Sequence, residues 1–145
     1  MFKKILVPTD GSPISENSAK AAIEFAAATN ASIVALSVSQ LYPYMLMPEA
    51  GAMLDLSSYE EAQDQSAQAN SEKLKTLAES AKVGCVAIVK RGIHPYEEII
   101  ATAKETQCDA IWIASHGRRG LDKLLLGSET QRVLAHSTLP VVVYR

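Results

Sequence analysis

The sequence predicts an α/β domain: a three-layer α/β/α sandwich built on a five-stranded, parallel, doubly wound sheet of Rossmann or flavodoxin type. Three observations predict it. Short apolar runs rich in β-branched residues alternate with stretches of helical period along the whole chain. Those runs are nearly continuous in apolar side chains, as strands covered on both faces are. The chain has 145 residues, 48% of them hydrophobic and 21% charged, which suits one domain with a full core. Strands joined through helices imply right-handed crossovers and therefore a mainly parallel sheet.

Phe2 to Val7 reads as the first strand and runs into the turn residues Pro8-Thr9-Asp10-Gly11-Ser12-Pro13. Ser12 can cap a helix that Pro13 opens, because proline suits the first helical position. Ala19, Ala22, Ile23 and Ala26 then share one stripe, and Thr29-Asn30 ends the helix. Ala31 to Val38 is the second strand. A second helix over about Ser57 to Ala81 turns Ala67, Leu74, Leu77, Ala78 and Ala81 inward. Val83 to Val89 is the third strand.

The third helix opens near Pro95, with Glu97 and Glu98 where the helix dipole favours anions and with Tyr96, Ile99, Ile100 and Ala103 as its buried stripe. Asp109 to Ser115 is the fourth strand. Ser128 can cap a last helix carrying Val133 and Leu134, and Pro140 opens the fifth strand, Val141 to Tyr144. With no internal repeat and no low-complexity linker, residues 1–145 read as a single domain.

Composition excludes several classes. A formal charge of −2 gives no electrostatic reason to expect nucleic acid or an anionic membrane as partner. No apolar run approaches the ~20 residues that span a bilayer, so a soluble, cytoplasmic protein is expected. Cys85 and Cys108 sit in or beside apolar runs without a CxxC or a Cys/His cluster; they read as buried free thiols, not as a zinc site.

In a doubly wound sheet, ligands bind beyond the carboxyl ends of the strands. The loops to inspect are therefore Pro8 to Ser12, Val38 onward, Lys90 to Pro95 and Ser115 to Ser128. The last is the most informative: Ala114-Ser115-His116-Gly117-Arg118-Arg119-Gly120, then Leu121 to Leu126, then Gly127-Ser128-Glu129-Thr130. Small residues let a backbone approach a ligand closely, and helix-end amides supply donors to an anion such as phosphate. Neither GxxxxGK[ST] nor GxGxxG is present. Taken alone, the same glycines suit ordinary turn chemistry, and Arg118 and Arg119 suit a solvated pair. His116 reads as a binding or loop-bracing residue, for it has no partner acid at a telling spacing. Asp10 in Asp-Gly-Ser suits a turn, and Val38 suits a core. The apolar connection from Leu41 to Leu54 reads either as a flap or partner surface, or as packing on the sheet.

The spacing decides further. The chain resembles the universal stress protein family, whose nucleotide-binding members show G-x-x-G, nine residues, then G-[ST]. Here Ala114-Ser115-His116-Gly117 is followed by Arg118 to Leu126 and by Gly127-Ser128, with Ala114 standing at the first glycine. Lys4 to Ser12 and Leu139 to Val143 resemble the family's first strand and loop and its last strand.

The resemblance implies a fold similar to the adenine nucleotide alpha hydrolases, with ATP or another adenine nucleotide as ligand, held with magnesium or manganese. It places Pro8, Thr9 and Asp10 along adenine and ribose, Asp10 accepting from a sugar hydroxyl, and Val38 at the adenine edge. Gly117, Arg118, Gly127, Ser128 and Thr130 fall to the phosphates, with Ala114, His116, Arg119 and Glu129 in the same binding stretch. It also implies a homodimer through strand 140–145. A regulatory stress protein gated by ATP is the expectation; a slow ATPase or phosphoryl or adenylyl transferase and a module without nucleotide are the alternatives.

Overall fold

The structure is a computed structural model that describes residues 1–41, 56–118 and 125–145. Nine elements alternate: β1 (Lys4–Pro8), α1 (Pro13–Thr29), β2 (Ser32–Gln40), α2 (Leu56–Ser80), β3 (Cys85–Gly92), α3 (Pro95–Glu105), β4 (Ala110–Ala114), α4 (Ser128–His136) and β5 (Val141–Tyr144). All strand pairs are parallel, in the order β3-β2-β1-β4-β5. That is the Rossmann order and not the flavodoxin order. The chain reverses its direction of growth between β1 and β4, so the crevice lies beyond the ends of these two strands.

Alternation along the strands sorts the core into two layers. Ile5 and Val7 of β1 with Ile33 and Ala35 of β2 meet Ala19, Ala22, Ile23 and Ala26 of α1 and Leu74 and Ala78 of α2. Leu6, Val34, Leu36, Ile111 and Ile113 point the other way, onto Ile99 and Ala103 of α3 and Val133 of α4. Ile5, Leu6, Ile33, Leu36 and Ile111 are fully buried. At about 25 cal/mol per Å² of apolar area removed from water, each stabilises the fold by roughly 1.5–3 kcal/mol.

Several expectations shift at their edges. Strand β3 runs on through Lys90, Arg91 and Gly92, which the sequence places in a loop, because they pair in register with Val38, Ser39 and Gln40 of an equally extended β2. Ala81 is exposed, since α2 has ended at Ser80 and the backbone is already turning through Lys82 at a φ of 60°. Leu134 is 42% exposed, because α4 presents Thr130 and Val133 to the core and turns Leu134 outward. Cys108 is buried, but Cys85 is only half-buried on edge strand β3. Desolvation still pushes the Cys85 thiol up to about 11, so it stays protonated at neutral pH.

Candidate functional site

At the β1/β4 reversal lies a cavity of about 360 Å³, within the range of small-molecule sites. Pro8, Thr9, Asp10, Val38, Ala114, His116, Gly117, Arg118, Gly127, Ser128, Glu129 and Thr130 all line it. Arg119 and the connection through residues 42–55 lie outside the described residues.

The turn after β1 is built from its own side chains. Ser12 takes extended backbone as the α1 N-cap and its Oγ accepts from the Ser15 N–H at 3.3 Å. The Thr9 hydroxyl lies 3.0 Å from Ser15 Oγ and accepts from the Gly11 N–H at 3.2 Å. Gly11 has φ +76°, in the left-handed region that glycine enters without strain.

Asp10 links this turn to the far loop. Its Oδ1 accepts from the Ser12 N–H and its Oδ2 from the Arg118 N–H, both at 2.9 Å. Burial works to raise its pKa, but hydrogen bonds from Ser12, the Arg118 backbone and Ser15 prevail and hold it below the usual carboxylate value. Each carboxylate oxygen can accept a further hydrogen bond, so a ligand hydroxyl still finds an acceptor.

The loop after β4 differs from the sequence reading in what its glycines do. A Cβ on Gly117 would stand 2.5 Å from Asp10 Oδ2, and one on Gly127 would stand 3.0 Å from His116 Cα. The missing methyl groups make room for the protein itself, so that the loop closes on Asp10 and on its own first turn. The Gly127 N–H donates to Ser115 O at 2.7 Å, and the Ser115 N–H donates to Tyr144 O at 2.7 Å. His116 Nδ1 lies 3.0 Å from Ser115 Oγ, a bracing contact. Ala114 is buried at the end of β4, and its carbonyl accepts from the buried Thr130 hydroxyl at 2.9 Å. The Thr130 hydroxyl hydrogen thus holds the loop, while its backbone N–H, in the first turn of α4, has no intrahelical partner.

Helix α4 also departs from expectation at its start. Its N-cap is Gly127, not Ser128, and no side chain caps it. The first amides of a helix have no intrahelical partner. Those of Ser128, Glu129 and Thr130 thus stand uncapped in residues that line the cavity, at the positive end of the helix dipole. Glu129 does not add its carboxylate to this face. Oε2 accepts from the Tyr96 N–H at 2.8 Å, while Oε1 accepts from Arg132 at 3.0 Å. It does for α3 what His94, the N-cap of that helix, does not, since His94 makes no side-chain cap bond.

Sequence reasoning missed the contribution of α2. Gln63, Ser66, Ala67 and Asn70 line the cavity, joined by Gln40 of β2 and Ser15 of α1. Their spacing of 63, 66, 67 and 70 is that of one helical face, and polar residues on an inward face were the available signal. Among the described residues, no group of three or more His, Cys, Asp or Glu could hold a metal ion, and no described helix is long and apolar enough to cross a membrane.

Fold and site together define a Rossmann-ordered α/β module with a ligand-sized cavity at its switch point and an uncapped helix start in the cavity wall. The chain belongs to the universal stress protein family, whose profile matches residues 1–145. It is 32% identical over 145 residues to universal stress protein MJ0531 of Methanocaldococcus jannaschii, covering 100% of this chain and 83% of that one. The solved structure of MJ0577 from the same organism superposes with a TM-score of 0.76 at 28% identity, over 99% of this chain and 95% of that one. A universal stress protein solved in complex with cAMP gives a TM-score of 0.71 at 22% identity, over 99% and 97% of the two chains.

Proposed function

We propose that this protein binds an adenine nucleotide, ATP with magnesium or manganese, and that occupancy sets which conformation or partner it favours in a regulatory stress role. One observation carries the reading. The amides at the start of α4 are left uncapped by Gly127 and open on a cavity of about 360 Å³, where the helix dipole favours an anion. The cAMP held by the structural relative is the same class of ligand.

The residues fit such a ligand at both ends. Backbone N–H groups of Ser128, Glu129 and Thr130, with Arg118 adding charge, hold the phosphates. Pro8, Thr9, Asp10 and the main chain of Val38 hold the nucleoside. A divalent ion, if bound, would be held chiefly by the phosphates themselves and would neutralise part of their charge, since among the described residues no group of three or more His, Cys, Asp or Glu could hold it. Asp10, engaged by two N–H groups and held below its usual pKa, is a good acceptor for a hydroxyl and a poor general base. Hydrolysis is accordingly slow: single-turnover rates above about one per minute would favour an enzyme instead.

Analysis of the small molecules released on denaturing the purified protein, with titration of ATP and magnesium into the emptied protein, tests the reading. Adenylate in the supernatant, or saturable heat at micromolar to millimolar ATP, supports it. No uptake at millimolar concentration removes it. The chain is also proposed to pair as a homodimer through β5, the edge strand at 141–144, whose outer ladder needs a partner. Light scattering that returns a monomer mass at micromolar concentration would rule that out.

A further inference from the structure

Helix α2 changes character along one face. Toward its carboxyl end, Leu74, Leu77 and Ala78 pack into the core. The continuation of that stripe toward the amino end is Gln63, Ser66, Ala67 and Asn70, polar at three of four positions, and it lies over the cavity. Polar side chains on an inward face cost stability unless something pairs with them. Gln68 on the outer face bonds to Glu72 and Ser71 bonds to the Gln68 carbonyl. Among the described residues, no hydrogen bond reaches the side chains of Gln63, Ser66 or Asn70. All three are half-buried residues of the cavity wall, so their donors and acceptors are available to a ligand there.

Asn70 is the best placed of them. Its carboxamide sits over Gly11: a Cβ there would come within 2.5 Å of Asn70 Oδ1 and 2.9 Å of Cγ. Gly11 follows Asp10 directly in the chain, and Asp10 and Asn70 both line the cavity, the one an acceptor-only carboxylate and the other a carboxamide with both donors and an acceptor. A sugar hydroxyl is donor and acceptor at once. Asp10 can take its hydrogen, and the Asn70 amide can donate to its oxygen or to the neighbouring hydroxyl.

We propose that Asn70, with Ser66 one turn and Gln63 two turns earlier, forms the sugar-reading wall of the site, and that it makes the protein prefer ribonucleotides over nucleotides lacking a sugar hydroxyl. The inference rests on the nucleotide reading above. It is tested by calorimetric titration of the full chain with ATP, 2′-deoxy-ATP and 3′-deoxy-ATP in magnesium buffer. At least one deoxy analogue is expected to bind wild type about tenfold more weakly than ATP, the size of one well-made hydrogen bond. Asn70→Leu, which keeps the volume, reduces that gap to about twofold by weakening ATP and sparing the analogue. Asn70→Ala does the same should the leucine disturb folding, and Gln68→Ala on the outer face leaves the gap intact. A wild type that binds all three alike, or a gap unchanged in both Asn70 variants, overturns the inference and leaves nucleotide binding standing. A wild type that takes up none of the three overturns both.

Discussion

The turn after β1 and the loop after β4 each deliver a strand into a helix at the rim of one cavity, yet the first closes its helix and the second leaves it open. Ser12 caps α1 with its own hydroxyl, and Thr9, Asp10 and Ser15 satisfy the other polar groups of that turn. Gly127 has no side chain to offer α4. Around it the loop is held from a distance, by Asp10 through the Arg118 N–H and by Thr130 through the Ala114 carbonyl. A helix start that caps itself has little to give a ligand. One whose loop is braced elsewhere keeps its amides available.

Asp10 joins the two sides, and its loss is the harshest test of the contrast. Asp10→Ala frees the Ser12 and Arg118 N–H groups at once; stability should fall by about 2 kcal/mol, given two charge-assisted bonds in a partly wet site. Urea unfolding would show it as a lower midpoint at unchanged slope, and ATP affinity should fall by more than tenfold on the nucleotide reading. An ATP affinity left intact would show that the bridge and the ligand site are independent.

Converting the open junction to the closed type comes next. Gly127→Ser supplies the missing cap oxygen and pushes a Cβ toward His116. ATP binding should weaken about tenfold as the cap oxygen competes for the amides of α4. Gly127→Ala carries the same Cβ without the oxygen and separates the two effects: equal losses in both variants would assign the effect to crowding alone. Opening the closed junction is the milder change. Ser12→Ala should cost about 1 kcal/mol in thermal or urea unfolding and shift ATP affinity less than Gly127→Ser does.

The smallest effect is on acid stability. The folded pKa of Asp10 lies below its unfolded value. Between those two values the unfolded chain therefore binds more protons than the folded one. The stability this provides is complete above about pH 4, the unfolded value, and is lost as pH falls through the lowered folded value. Asp10→Asn should flatten that part of the acid limb in a pH series of unfolding curves. An acid limb identical to wild type would show that other carboxylates set it.

Between the two junctions, the first was the more legible. Ser12-Pro13, three residues before Ser15, is a local signal, and the cap, the proline at the first position and the left-handed Gly11 are contained within a few residues. The second junction showed its place but not its workings. The spacing of Gly117 and Gly127 marked the loop, while the reason for each glycine is a contact with Asp10 or His116 that no neighbouring residue announces. Glu129 was read toward the ligand because it shares the stretch with Ser128 and Thr130. Its partner, the Tyr96 N–H, is 33 residues earlier in the chain.

What the amino-acid sequence determined by itself was periodic or local: nine alternating elements, the inward stripes of α1 and α3, the self-capped start of α1, and a motif at the carboxyl edge of β4. Each depends on side chains a turn or a pleat apart. Tertiary structure alone decided the order β3-β2-β1-β4-β5, the meeting of Asp10 with Arg118 across 108 residues, and the placement of Asn70 over Gly11. These depend on which strands become neighbours, and that is set by burying two apolar layers at once rather than by any segment's own preference.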